Sequence, residues 1–230
     1  GEKKKINFNK NNYPEFKEKI VHLILEKEPS DINKNSNSDP RIIRSNSVKR
    51  INYQRDYIIK GLEDAKDEDL VMYSDNDEIP DFTKINKNEL KKNKIIIFKQ
   101  KMFYYKLNLQ YPSIDWYGTK CCKFKHLNSI SLLREIKPKK YSILRPDIIF
   151  SKVKYNKIKI IDEGGWHFSN LKTPQELMKK YMNDEMHAEF EGRNISIKEI
   201  ERLVKEKKIN YNHFINSKNI ERQFSEFNLK

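Results

Sequence analysis

The strongest structural signal in this chain is Lys94-Ile95-Ile96-Ile97-Phe98, which opens a run of Ile, Phe, Tyr and Leu that continues to about Leu109. A second apolar block is Ile158-Lys159-Ile160-Ile161. Short apolar runs rich in β-branched residues are typical of buried strands. We therefore predict one or two core-facing strands over 94–109 and a hairpin over 148–161.

The first third of the chain predicts a strand, a loop and a helix. Residues 19–26 place Ile, Val and Leu together between charged flanks, which predicts a buried central strand. Residues 29–47 are rich in Asn, Ser, Asp and Pro and predict a long mobile surface loop. Apolar residues at helical spacing then predict an amphipathic helix over 48–66.

The C-terminal third predicts two helices and a tail. The helical patterns cover about 173–190 and 196–207, with Pro174 and Ser196 as start signals. From residue 215 the sequence is mostly polar. We predict one α/β domain over 1–214 and a C-terminal tail over 215–230.

The charge balance favours a polyanionic partner. The chain has 47 Lys and Arg against 33 Asp and Glu, a net charge of +14. This surplus attracts nucleic acid, membrane surfaces or a nucleotide diphosphate, and its sign does not choose among them. The sequence contains no apolar run of membrane-spanning length and no leader, and its two cysteines, Cys121 and Cys122, are adjacent. We expect no membrane segment, a reducing compartment and a cytoplasmic location.

An acidic cluster follows the short apolar run Leu70-Val71-Met72-Tyr73. Ser74-Asp75-Asn76-Asp77-Glu78-Ile79-Pro80 places two carboxylates two residues apart at a predicted strand end. Ligand sites in open α/β sheets favour this edge, and paired carboxylates bind divalent cations. An ordinary Asp- and Asn-rich turn is the alternative.

The second chemical constellation is Asp162-Glu163-Gly164-Gly165-Trp166-His167-Phe168-Ser169. The glycines would let the backbone approach a ligand, Trp166 offers a face for a sugar ring, and the acids are candidates to remove a hydroxyl proton. The alternative is a hairpin that ends in a glycine turn beside a buried Trp.

These segments resemble glycosyltransferase family 17. The resemblance rests on Gln54-Arg55-Asp56-Tyr57-Ile58, on the 74–80 cluster and on Gly164-Gly165-Trp166-His167-Phe168-Ser169, which occur in the family's order. Trp116-Tyr117-Gly118-Thr119 and Met186-His187-Ala188-Glu189 resemble further family segments. The family implies a GT-A-type, Rossmann-like mixed sheet flanked by helices. Because Gly1-Glu2-Lys3-Lys4 matches a segment that relatives place later, we expect the first βα unit to be missing.

The resemblance also implies roles for individual residues. Asp75 and Asp77 would hold Mn²⁺ or Mg²⁺, with Asp77 as the preferred direct ligand, and His167 or His187 would add a ligand unless each is an ordinary core histidine. A base would come from Glu163, with Asp162 and Glu189 as substitutes. The residues implied to bind the nucleotide-sugar are Gln54, Arg55, Asp56, Asp75, Gly164, Gly165 and Trp166. Arg55 has an alternative as a solvated helix residue in a salt bridge.

The function implied is inverting transfer of N-acetylglucosamine, or a related sugar, from a UDP-sugar to a hydroxyl of a glycan or glycoprotein. Family relatives work in the Golgi lumen. Three alternatives stay open: a basic nucleic-acid-binding module, a metal-dependent phosphoryl-transfer enzyme, and an inactive truncated transferase. The scattered basic residues and the acidic cluster at 75–78 argue against a nucleic-acid partner. The sequence gives no indication of the oligomeric state.

Overall fold

The computed structural model describes residues 7–34, 39–111, 114–182, 196–209 and 228–229. The fold is mixed α/β, with an eight-stranded mixed sheet flanked by helices. The strands are β1 Leu70–Tyr73, β2 Glu78–Pro80, β3 Ile95–Tyr104, β4 Leu109–Gln110, β5 Trp116–Lys123, β6 Ile158–Ile161, β7 Gly165–Ser169 and β8 Asn228–Leu229. The helices are α1 Pro40–Tyr57, α2 Lys87–Lys92, α3 Ile130–Glu135, α4 Pro174–Met182 and α5 Ile197–Lys205. Short 3₁₀ turns lie at Lys10–Asn12, Pro14–Lys19, Ile58–Leu62, Phe82–Lys84, Phe124–His126 and Pro146–Ile148.

Strand β3 lies at the centre of the sheet, as its sequence predicts. It pairs antiparallel with β5 and β4, and it pairs parallel with β6 along its first half and with β7 along its second half. Its first four side chains, Ile95 to Phe98, are at most 2% exposed. Because neighbours cover both edges and both faces of this strand, apolar residues occupy consecutive positions here.

The predicted hairpin over 148–161 is wrong. Only its second half, β6, is a strand, and it pairs parallel with β3. The residues before β6 form a loop that contains the 3₁₀ turn Pro146–Ile148. A hairpin needs an antiparallel partner directly before the turn, and this loop supplies none.

The predicted central strand over 19–26 is also wrong. Its residues follow the 3₁₀ turn Pro14–Lys19 without joining the sheet, and Val21 is 67% exposed. Leu23 and Leu25 are half-buried. An apolar run identifies a segment that can pack, but it does not supply the strand with which it would pair.

Helix α1 begins earlier and ends earlier than the predicted helix over 48–66. It starts after Asp39, whose carboxylate accepts a hydrogen bond from the Arg41 amide at 2.8 Å. The chain continues after Tyr57 as the 3₁₀ turn Ile58–Leu62. Since Asp-Pro is a favourable helix start, the predicted mobile loop over 29–47 is wrong from Pro40 onward.

The C-terminal predictions are confirmed in part. Helix α5 starts after Ser196, whose hydroxyl accepts from the Glu199 amide at 3.2 Å, as the start signal predicts. Helix α4 covers the described part of the helix predicted over 173–190. In the predicted tail over 215–230, the described residues form β8 and pair with β4. Within the described ranges, no helix is both long and apolar enough to cross a membrane.

Both glycines of the Gly164-Gly165 pair are required by packing within the chain. A Cβ on Gly164 would lie 2.8 Å from the Ile161 carbonyl oxygen, and one on Gly165 would lie 2.1 Å from the Ile79 carbonyl oxygen. Gly165 also has φ +127°, a backbone conformation that L side chains rarely adopt. These glycines therefore let β7 approach β2 and β3 closely.

We predict that Gly165→Ala destabilises the fold by about 3 kcal/mol, because the added methyl group meets backbone and the φ angle becomes strained. Gly61→Ala is the matched control, since its Cβ would have 3.5 Å to the nearest atom. The control should change the free energy of unfolding by less than about 1 kcal/mol. Urea unfolding followed by far-UV circular dichroism measures both, and equal effects would contradict the packing role of Gly165.

Candidate functional site

A large cleft opens beside the C-terminal end of β1 and has a volume of about 1130 Å³. Its walls come from residues 22–29, from α1 and from the turn that follows β1. Gln54, Arg55, Asp75 and Asp77 all line it. The structure thus brings together four residues that the sequence assigns to a donor site. Small-molecule sites commonly measure roughly 300–1,000 Å³, so this cleft is large enough for a nucleotide-sugar.

Asp75 is held firmly by its neighbours. Its carboxylate accepts from the Tyr73 hydroxyl at 2.5 Å and lies 2.9 Å from an Arg134 Nη2. Arg55 lies 3.7 Å away and donates through Nε to the Tyr73 hydroxyl at 3.1 Å. Burial and the Asp75 carboxylate raise the pKa of Tyr73 to about 12, so its hydroxyl keeps the proton that it donates. Arg55 is therefore in a salt bridge, but in the cleft rather than on a solvated face.

Glu78 lies beneath this turn with a side chain that is 0% exposed. Its carboxylate accepts from Arg134 Nη2 at 2.8 Å, from the Trp116 indole at 2.8 Å and from the Asp75 amide at 3.2 Å. Arg134 also donates to the Gly118 carbonyl at 2.6 Å. A buried carboxylate is tolerated only with such pairing, so Glu78 ties β2, β5 and α3 together.

His167 lies on the same face of the sheet as Glu78, because the two residues are opposite each other in the β2–β7 pairing. The imidazole stacks on Trp116 at 4.2 Å and 8°. Its Nε2 lies 3.5 Å from the Asp77 carboxylate, and its buried Nδ1 has no hydrogen-bond partner among the described residues. His167 is therefore a buried residue with one nitrogen directed at Asp77.

Asp77 is more exposed than the other two carboxylates of this network, Asp75 and Glu78. Burial opposes its ionisation, but His167 and the positive charge of Lys180 outweigh that effect and lower its pKa. Its side chain is 41% exposed. In the described part of the chain it contacts neither Arg55 nor Arg134, which pair with Asp75.

The Asp75-Asn76-Asp77 turn could bind a hard divalent cation, but it offers that cation only a small number of protein ligands. Asp77 provides a charged oxygen, and His167 lies next to it. Among the described residues, no cluster of three or more His, Cys, Asp or Glu side chains could hold a metal ion. A cation bound here would take its other ligands from water and from substrate oxygens, which is how Mg²⁺ is commonly held.

Asp56 has a structural role. Its carboxylate accepts from the Ser131 amide and the Ser131 hydroxyl, each at 2.8 Å. Ser131 belongs to the first turn of α3, so Asp56 fastens α1 to α3. It does not line the large cleft, although its neighbours in sequence, Arg55 and Tyr57, do.

Asp162 and Glu163 line a second cleft of about 230 Å³. Glu163 lies 3.0 Å from Lys101, and Asp162 lies 3.8 Å from Lys99. The two clefts share no lining residue. The structure therefore does not bring these candidate bases into the cleft that contains Asp77.

Trp166 is 40% exposed, and its side chain lies on the strand face opposite to His167. Its cross-strand neighbours are Ile79 and Lys101. An accessible indole suits sugar stacking, in contrast to the buried Trp of the alternative interpretation. His187 and Glu189 lie outside the described residues, so their predicted roles remain predictions.

Three residues at the centre of the network are missing from the predicted site set: Glu78, Trp116 and Arg134. Glu78 adjoins the Asp75-Asn76-Asp77 triplet, and Trp116 belongs to a segment of the family resemblance. The sequence therefore offered a reason to assign both residues to the site. For Arg134 it offered none, because no motif includes this residue and it lies 56 residues from Glu78 in sequence.

Comparison with known proteins finds no matching family model, no matching curated protein and no matching solved structure.

We predict that Glu78→Gln destabilises the fold by roughly 3–5 kcal/mol, because it breaks the buried ion pair with Arg134 and leaves that guanidinium only the partly exposed Asp75 carboxylate as a counter-charge. Glu68→Gln is the matched control, since Glu68 forms exposed pairs with Lys123 and Lys125 and should matter little. Chemical unfolding followed by tryptophan fluorescence measures the difference. Comparable stability of the two variants would show that the Glu78–Arg134 pair is not required.

Proposed function

We propose that this chain is an inverting glycosyltransferase that moves N-acetylglucosamine, or a related sugar, from a UDP-sugar to a glycan hydroxyl. The motifs resemble glycosyltransferase family 17, and the mixed α/β sheet is compatible with a GT-A fold. One observation carries the proposal. The Asp75-Asn76-Asp77 turn, Gln54 and Arg55 are separate in sequence and line one cleft large enough for a nucleotide-sugar.

The residues of this cleft have distinct tasks in the proposed reaction. Asp77 supplies an ionised carboxylate, and the buried His167 orients that carboxylate through its Nε2. Arg55 lies where a guanidinium can meet the diphosphate, and Asp75 and Tyr73 hold that guanidinium in place. Arg134 holds the turn through Asp75. Mn²⁺ or Mg²⁺ bound through Asp77, with Asp75 or His167 as a second ligand, would neutralise charge on the leaving diphosphate.

Inversion in a single displacement requires a base at the acceptor hydroxyl. The acceptor oxygen forms a bond to the anomeric carbon, the bond from that carbon to UDP breaks, and the hydroxyl proton passes to a carboxylate. Glu163 is the proposed base, with Asp162 beside it. Both side chains are more than two-thirds exposed, so an acceptor has access to them.

The position of Glu163 sets a distance that substrates must span. The Asp77 carbonyl accepts from the Phe168 amide, and the Asp81 amide donates to the Gly164 carbonyl. Asp77 and the Glu163 end of the proposed site therefore lie at opposite ends of β2. The four-residue step from Asp77 to Asp81 corresponds to roughly 13 Å at about 3.3 Å per residue. Diphosphate, donor sugar and acceptor would have to extend along this strand, with Trp166 available beside the acceptor end.

We predict that the chain releases UDP from one UDP-sugar only when Mn²⁺ or Mg²⁺ is present, and that Asp77→Asn lowers kcat by roughly 100-fold or more. Asp81→Asn is the matched control, because Asp81 is a carboxylate four residues away that caps a 3₁₀ turn. UDP release is measured over a panel of donors with and without a chelator. Absence of both turnover and metal-dependent UDP binding in the folded protein would contradict the active-transferase proposal and favour an inactive transferase.

We predict that Glu163→Gln lowers kcat by about 100-fold to 10,000-fold while metal-dependent UDP binding stays unchanged. Lys101→Gln is the control, since it breaks the same 3.0 Å ion pair but keeps the carboxylate. Glycan product formation at saturating donor measures the effect. Equal loss in both variants would assign the ion pair a structural role and remove Glu163 as the base.

A further inference from the structure

The loop between α3 and β6 exposes an unusual group of apolar side chains. Its tip, residues 142–151, contains Ile143, Leu144, Ile149 and Phe150, which are between 76% and 88% exposed. These are the four most exposed large apolar side chains in the described part of the chain. Single exposed apolar residues are common on protein surfaces, whereas a group of four on one tip indicates an interaction site.

The base of this loop is held by specific contacts. The Lys137 amide donates to the Val153 carbonyl at 3.3 Å, and the Tyr141 amide donates to the Tyr155 carbonyl at 3.2 Å. The Tyr141 ring lies within 6 Å of three cationic groups, which are those of Lys139, Arg145 and Lys154. These contacts hold the base of the loop in place, and the apolar tip projects from it.

The 3₁₀ turn Pro146–Ile148 separates the tip into two apolar pairs. Ile143 and Leu144 precede this turn, and Ile149 and Phe150 follow it. The one acid of the loop, Asp147, lies in the turn and pairs with Arg145 at 2.9 Å and with Lys154 at 2.7 Å. Its negative charge is therefore neutralised within the loop.

The charge around the tip is strongly positive. Residues 137–157 contain seven basic side chains and a single acidic one. Six of the basic side chains lie on the two sides of the tip in sequence, at Lys137, Lys139, Lys140, Lys152, Lys154 and Lys157, and the seventh, Arg145, lies within it. Cations that flank exposed apolar groups match the layered chemistry of a membrane surface, where anionic headgroups lie above hydrocarbon.

We propose that residues 142–151 dock this chain onto an anionic lipid bilayer. Leu144, Phe150 and their two apolar neighbours enter the boundary between headgroups and acyl chains, and the flanking lysines contact the anionic headgroups. A protein partner would need an apolar pocket with an acidic rim of matching shape, whereas a bilayer accommodates a convex apolar tip of any shape. The proposal does not depend on transferase activity.

Vesicle sedimentation of the full chain tests this proposal. The vesicles are phosphatidylcholine alone or phosphatidylcholine mixed with phosphatidylserine, at low and high salt. We expect binding that requires phosphatidylserine and weakens with salt. Leu144→Ser/Phe150→Ser should lower the partition coefficient by about ten-fold or more, and Lys139→Gln/Lys140→Gln should lower it by a similar factor.

Phe82→Ser/Leu107→Ser is the matched control, because these residues are 61% and 67% exposed and lie outside the loop. It should bind vesicles as the unmodified chain does. If Leu144→Ser/Phe150→Ser still binds vesicles as the unmodified chain does, vesicle binding rests on general charge attraction and the proposal is overturned. Self-association that this variant abolishes, without vesicle binding, would assign the tip to a second copy of the chain and overturn it as well.

Discussion

The structure depends on the pairing of a fully buried carboxylate, Glu78, with the guanidinium of Arg134. Removing two charges from water costs several kcal/mol per ion, and the pair is tolerated because hydrogen bonds satisfy both groups. These bonds come from β2, β5 and the turn after β1. They leave so little space that a Cβ on Gly118 would lie 2.6 Å from the Glu78 carboxyl group. The pair therefore fixes where the Asp75-Asn76-Asp77 turn sits above the sheet.

A second buried cation supports the helix that carries Arg134. Lys120 donates through Nζ to the carbonyls of Arg134 and Ile136 at the C-terminal end of α3. Burial, with the nearby positive charge of Arg134, lowers the pKa of Lys120 to about 7. Carbonyl groups at the end of a helix are suitable partners for this amine, and they hold α3 against β5.

Much of the sheet could be predicted from the sequence because its buried strands are apolar runs. β1 and β3 follow this reasoning, and the start of α5 was predictable from the capping residue Ser196. The segment over 19–26 shows its limit, since an apolar run does not reveal whether a partner strand exists. The Asp75-Asn76-Asp77 turn and Arg55 were predictable from motifs. Arg134 was not, because its role arises from a contact across 56 residues of sequence.

The parallel pairing of β3 has a consequence for how the chain folds. β3 and β5 are close in sequence, with only the short β4 between them, and can form an antiparallel pair early, whereas β3 meets β6 only after about sixty intervening residues are closed into a loop. Loop-closure entropy must be overcome before such a distant contact stabilises the chain, so parallel strands join late. Until β6 arrives, one edge of the most apolar strand stays unpaired. During synthesis, that unpaired edge of β3 needs protection from aggregation.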